Sequence, residues 1–306
     1  MCVRSGPAGH LRKTPALSTA GLLCWLWTAS TLAAGPLVLG EDLERPVRFQ
    51  LQAVSDDPEQ LHCQFTPAQL AILEKLNRAD VKNLVKMGSI VVPDRWDLRE
   101  LDYSPMPSVS KWAGLREKLL VVHQRVQAFG AYERGKLVHW GPVSSGGEQR
   151  PTPSGHFHLN WKSKGRRSTV NRDWFLPWVF NFINRDGIAF HQYELPGYPA
   201  SHGCVRLLGR DAQWLYGWGD QWELGPRGWK VEKQGTPVWV MGGYDYQEDP
   251  PWMELAYLSH GARIVLGHER GVLDENDFPH PAMDDESAHV SATEIASEVS
   301  EAADSI

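Results

Sequence analysis

A chain of 306 residues with 42% hydrophobic and 22% charged residues has the make-up of a soluble globular protein, with room for one large domain or two small ones. Its net charge of −6 is unevenly spread: Asp274 to Ile306 holds ten acidic residues and no Lys or Arg, so the middle of the chain is nearly neutral and offers no surface for nucleic acid. Four cysteines, at 2, 24, 63 and 204, are too few for a disulfide scaffold.

Residues 1–35 read as an export signal. Arg4, Arg12 and Lys13 form a basic stretch, and Ala16 to Ala34 is apolar with small residues toward its end. The apolar run is also near bilayer-spanning length, so an uncleaved N-terminal anchor is the alternative and the only membrane contact expected. Residues 36–103 form a small N-terminal region. Thr66 is placed to cap a helix that starts at Pro67, with Gln69 three residues on and Leu70, Ile72, Leu73 and Leu76 as its apolar face. Asp80 is placed to cap a second short helix that Gly88 ends, and Ser89 to Pro93 reads as a strand. This helix–helix–strand order, with its terminal "IVVP", resembles the second half of a LysM peptidoglycan-binding module; a packing subdomain is the other reading.

Residues 104–111, rich in Pro and Ser, read as a linker. From 112 to 243 the character is β. Glu117 to Gly146 has a hairpin pattern with a turn at Glu133 to Lys136, and Thr152 to Gly155 is a turn leading into a strand with His156 and His158. Further strands are expected at Trp174 to Ile183, Gly187 to His191 and near Val231 to Met241, with a helix at Ala212 to Trp218. The absence of long helices between strands disfavours a parallel α/β sheet and predicts a mostly β domain. A C-terminal extension (244–273) and an acidic tail (274–306) follow, the tail with the composition of a disordered segment.

The chemistry concentrates in GIAFHQYELPGYPASHGCVRL, Gly187 to Leu207. Cys204 has four readings: a small buried residue, a disulfide partner for Cys63, a metal ligand or a nucleophile. A zinc site would draw on His191, His202 and Cys204, with His156 and His158 in reserve, but no C-x-x-C or H-E-x-x-H spacing supports it. For a nucleophile, the imidazoles and the Arg206 guanidinium are what would lower the thiol pKa, and Gly203 permits close backbone approach.

The same string closely resembles the active-site signature of the L,D-transpeptidase (YkuD) catalytic domain. The likeness extends to Leu120–Gly146 as opening strands, to Thr152–Lys162 and to Gly235–Val240 as a last strand, covering about 130 residues of the chain. The resemblance implies a YkuD-like β-sandwich or barrel and an exported, periplasmic or envelope cysteine acyltransferase. Its partners would be peptidoglycan stem peptides, and it would need no metal or other cofactor. It implies Cys204 as nucleophile, His191 as general base, and His202 and Gly203 at the acyl site with backbone N–H groups near Gly203 and Cys204 as an oxyanion hole. Arg206 would hold or brace a substrate carboxylate, with Ser201 in the Ser/Thr position and Trp174 and Trp178 as candidate walls of the donor cleft. The terminal D-Ala of a stem tetrapeptide would leave and an amine would take the acyl group. Hydrolysis by the same fold, or a non-catalytic cell-wall-binding protein, is the alternative. Nine residues separate His191 from Ser201, shorter than in some members, which puts acceptor specificity in question.

Overall fold

The computed structural model describes residues 47–168 and 170–255; the expected export signal and acidic tail lie outside the described residues. The N-terminal region runs β1 (Phe49–Ala53), α1 (Pro58–Gln64), α2 (Pro67–Asn77), α3 (Val81–Leu84) and β2 (Ser89–Pro93), with β1 and β2 paired antiparallel. Helix α2 starts as its sequence dictates. The Thr66 hydroxyl accepts from the Gln69 N–H at 3.3 Å and the Gln69 side chain accepts from the Thr66 N–H at 2.9 Å, so each satisfies a donor that a helix start leaves open. Asp80 caps α3 in the same way, accepting from the Asn83 N–H at 3.2 Å.

The β domain contains β3 (Lys118–His123), β4 (Ala128–Glu133), β5 (Lys136–Ser144), β6 (Gly155–His158), β7 (Lys162–Arg167), β8 (Phe175–Ile183), β9 (Ile188–Gln192) and β10 (Val205–Leu207). Helix α4 (Gly209–Trp218), the short pair β11 (Glu223–Leu224) and β12 (Val231–Lys233), and β13 (Pro237–Met241) complete it. Nine strands form one sheet in the order β6-β13-β3-β4-β5-β10-β9-β8-β7. The sheet curls so that β6 meets β8, with Phe157 edge-on to Phe182 at 5.7 Å.

Why Leu119 to Val122 reads as an unbroken apolar run is now clear. Leu120 and Val122 face the interior of the curled sheet with Phe129, Phe180, Phe190 and Val205. Leu119 and Val121 face the opposite way, into a second core shared with the N-terminal region. A strand buried on both faces needs no polar alternation. That second core joins Val47, Phe49, Leu76 and Val91 to Tyr132, Trp140, Trp239 and Trp252. The N-terminal region therefore shares a core with the β domain. Residues 104–110, expected as a linker, are packed between the two. Ser104, Met106 and Ser110 are buried, the Leu137 N–H donates to Ser108 O at 2.9 Å, and the Ser110 N–H donates to Gly135 O at 2.8 Å. The Pro and Ser content there belongs to an irregular segment held between the two regions rather than to free chain. Among the described residues no helix is long and apolar enough to cross a membrane.

Candidate active site

β9 and β10 are the centre of the site. They run parallel, with His191 opposite Arg206 and Phe190 opposite Val205. Side chains alternate along a strand, so Cys204, immediately before β10, shares the face of Arg206. His191, on β9, stands beside Arg206. A cavity of about 50 Å3 collects them: His191, His202, Cys204, Arg206, Ser201 and Trp174 line it, with Tyr193, Leu176, Ser168 and Val170.

The loop carrying Cys204 is shaped from within. Gly203 has φ +112°, a conformation an L side chain rarely adopts. The Ser201 hydroxyl donates to Cys204 O and accepts from the Gly203 N–H at 3.1 Å. Thr152, fully inside the protein, accepts from the Gly146 N–H and donates to Gly203 O, both at 2.8 Å, so the Thr-Pro-Ser-Gly turn holds the loop from behind. Two expectations shift here. The Ser201 hydroxyl is engaged in the loop itself, and the Gly203 N–H is occupied by Ser201.

Cys204 carries a free thiol, which removes the disulfide with Cys63. Its S–H lies 4.0 Å from Gly187 O, a weak contact. Burial pushes the thiol pKa up; the backbone hydrogen bond from Ala189 and the positive charge of Arg206 oppose this and do not overcome it. The Arg206 guanidinium thus acts on the thiol in the expected direction, but burial outweighs it and the net shift is upward. Among the described residues no group of three or more His, Cys, Asp or Glu is placed to hold a metal ion. His156 and His158 lie on β6, beside β13 and away from the cavity.

His191 is 5% exposed, and its Nδ1 lies 3.0 Å from Gln192 O. A carbonyl only accepts, so Nδ1 carries the proton and Nε2 is left as an acceptor. Burial lowers the His191 pKa to about 4; the Gln192 carbonyl works against this and the Arg206 charge adds to it. A neutral imidazole with an open acceptor nitrogen can take a thiol proton at ordinary pH. The same shift bears on stability. Between pH 4 and 6.5 the unfolded chain binds the proton and the folded chain does not, so stability falls as pH drops through that window, by about 3 kcal/mol in all. Replacing His191 with Gln is expected to flatten that part of a urea-melt pH series; an unchanged slope would place the imidazole in water.

Arg206 is partly buried, which lowers its pKa. It donates to Ala200 O at 2.8 Å and lies 4.7 Å over the Tyr193 ring. Tyr193 also meets the His191 ring edge-on at 6.0 Å and the Trp174 ring at 6.2 Å. Tyr193 belongs to no sequence motif; its one signal is its place two residues beyond His191, just past the end of β9. His202 is exposed, 5.6 Å from Trp174. Trp178 is not in the cavity wall. Its backbone φ of +55° turns it toward α4, where it meets Tyr216 edge-on at 5.4 Å and packs on the inner core.

Residues 117–240 match the family model described as the L,D-transpeptidase catalytic domain. Those residues belong to that family. No curated protein matches the chain. Among solved structures, the L,D-transpeptidase domain is similar to an L,D-transpeptidase from Stackebrandtia nassauensis, with 26% identity and a TM-score of 0.34 over 42% of this chain and 57% of that one. An L,D-transpeptidase from Mycobacterium smegmatis matches at 20% identity, with a TM-score of 0.33 over 41% and 59%. L,D-transpeptidase 1 from Mycobacterium tuberculosis matches at 22%, with a TM-score of 0.31 over 41% and 62%. The chain thus spans less than two thirds of the length of each. In the L,D-transpeptidase domain, the cavity around Cys204 is the concave site that gathers the reactive side chains.

Proposed function

We propose that the protein is an exported cysteine acyltransferase acting on peptidoglycan stem tetrapeptides, with Cys204 as nucleophile and His191 as general base. The observation that carries this is one cavity holding a free thiol and a neutral imidazole with an open acceptor nitrogen, inside an L,D-transpeptidase domain. Cys204 passes its proton to His191 Nε2 as the sulfur attacks the carbonyl of the third residue of the stem. The developing oxyanion is held by the N–H of Cys204, since the Gly203 N–H is used by Ser201. Collapse breaks the bond to the terminal D-Ala, whose nitrogen takes the proton from His191, leaving a thioester. An amine then attacks: its C–N bond forms, the C–S bond breaks, and the proton returns through His191 to the sulfur. Arg206 braces the loop through Ala200 and fixes Tyr193, so it acts as a positioning residue. Trp174 and His202 form the outer wall over the donor. Because both partners start neutral, proton transfer accompanies attack rather than preceding it. Export rests on the basic and apolar pattern of residues 1–35.

The test is digestion of purified muropeptides followed by mass spectrometry. Tetrapeptides are expected to lose one D-Ala and appear as 3→3 dimers or protein-linked products. Tripeptides alone would make the enzyme a carboxypeptidase, and unchanged tetrapeptides together with no acyl-enzyme would overturn the reading.

A further inference from the structure

Tyr193 lies one residue past β9, where its N–H donates to Leu207 O at 3.2 Å and carries the pairing with β10 one step further. Side chains alternate along such a run, so Tyr193 shares the face of His191 while Gln192 takes the other. Tyr193 and His191 both line the cavity around Cys204. The two rings meet edge-on, with centres 6.0 Å apart and planes at 82°, and the Tyr193 ring also meets Trp174 at 6.2 Å. The Arg206 guanidinium lies over the Tyr193 ring, 4.7 Å from its centre.

These contacts meet a difficulty that β10 creates. Arg206 stands opposite His191 on the parallel pair and is partly buried, and a guanidinium drawn out of water needs partners. It donates to two carbonyls, Ala200 O at 2.8 Å and Glu194 O at 3.4 Å, while the Glu194 carboxylate lies 3.7 Å from Lys82. A carboxylate in the place of Tyr193 would pair with Arg206 but would also draw a proton onto His191. An aromatic face attracts the cation and carries no net charge. The other elements packed on β9 turn their charges elsewhere. β8 pairs Phe180, Asn181 and Ile183 with it, and on α4 Arg210 pairs with Glu74 while Asp211 pairs with Lys75 and His139. Besides Arg206 and Tyr193, the titratable groups that line the cavity with His191 are the Cys204 thiol and the exposed His202.

We propose that Tyr193 is a positioning residue for the base: its ring covers the His191 imidazole against water and serves as the uncharged partner that holds Arg206 beside it. That His191 is a base rests on the acyl transfer described above; the covering itself does not. Under the ring the imidazole stays neutral, with Nδ1–H on Gln192 O and Nε2 open toward the cavity. Without the ring, water reaches the imidazole and solvates its protonated form, so the acceptor nitrogen is lost to a proton at mildly acidic pH, where the covered imidazole keeps it.

The test is an NMR titration of the His191 ring in the full chain, as wild type, Tyr193→Ala and Tyr193→Phe, which needs no turnover. Tyr193 is half-buried, so both variants are expected to fold. His191 is expected to titrate near pH 4 in wild type. In Tyr193→Ala it should move up to about 5.5–6, with the Arg206 charge still holding it below the ordinary value. Tyr193→Phe keeps the ring face and should restore the wild-type titration. Acyl-enzyme formation from a stem tetrapeptide, read by intact mass, gives a second measurement: Tyr193→Ala should lose about four- to tenfold more rate at pH 5 than at pH 8, the fraction of imidazole newly protonated. Titration near pH 4 in Tyr193→Ala overturns the proposal. So does a shift in Tyr193→Phe as large as that in Tyr193→Ala, which would assign the effect to the hydroxyl. Titration of wild type near 6.5 also overturns it, whether or not the variants fold. Absence of any acyl-enzyme in wild type, with the titrations as expected, strikes instead at the acyl transfer and leaves the covering in place.

Discussion

Cys204→Ala is expected to abolish the acyl-enzyme formed from a stem tetrapeptide and to reduce turnover by about 10⁴-fold or more, the usual scale for losing a nucleophile. The fold should survive. The thiol is half-buried and makes only weak polar contacts, such as the 4.0 Å approach to Gly187 O, so the variant should melt within about 1 kcal/mol of wild type. That combination separates a chemical loss from a structural one. His191→Ala should leave the nucleophile in place and slow acylation about 10²- to 10⁴-fold, the contribution of a positioned base. The pH profile gives an independent reading. With the His191 pKa lowered to about 4, the base is already neutral across the mildly acidic range, so kcat/KM should not show a step near the ordinary histidine value. A step there would mean that the working imidazole is solvated, which points to the exposed His202. An adduct that persists in Cys204→Ala would remove the thiol from the mechanism altogether.

The two parts of the site differed in how far the sequence revealed them. The Gly187 to Leu207 string brought these residues together because one parallel strand pair sets His191 opposite Arg206, and the short loop leading into β10 carries His202 and Cys204. The helix starts at Thr66 and Asp80 were legible for a similar reason: capping is chemistry within four residues. What was hidden depends on distant chain. Strand β7, Lys-Ser-Lys-Gly-Arg-Arg, shows no apolar alternation because it is an edge strand with polar side chains largely toward water, and only pairing with β8 reveals it. Trp178 was a reasonable wall from its place before the catalytic strand. Its positive φ, which no local rule announces, swings it to the other face. The raised thiol pKa is likewise a property of enclosure, which neighbours in sequence do not report. Least visible was the role of residues 74–83. Nothing in that stretch points 115 residues onward to Leu195, yet Asp80 and Asn83 hold that loop.

The second large effect should come from the junction that seats those residues. Lys75 is fully buried, with Nζ paired to Glu100 and lying 3.4 Å from Asp211 and 5.2 Å from the Trp140 ring centre. Asp211, equally buried, accepts from His139 Nε2 at 2.9 Å through one oxygen, and the other has no hydrogen-bond partner. Burial alone would raise the Asp211 pKa. The His139 hydrogen bond and the Lys75 charge outweigh it and hold the carboxyl below the usual range. Lys75→Met keeps most of the volume but strands that carboxylate, and is expected to cost about 3–5 kcal/mol in urea melts. Adding Asp211→Asn should recover much of the loss, because both buried charges are then gone. The pH dependence has a defined sign. In wild type the ionised Asp211 stabilises the fold above its unfolded pKa, and that contribution is lost as pH falls. In Lys75→Met the carboxyl, without its main countercharge, favours the protonated form, so the gap between variant and wild type should narrow toward pH 4. A gap that stays constant with pH would mean that Lys75 matters for packing against Trp140 rather than for charge. Because α2 leads directly into Arg78 and Asp80, loosening this junction should also free the Leu195 loop.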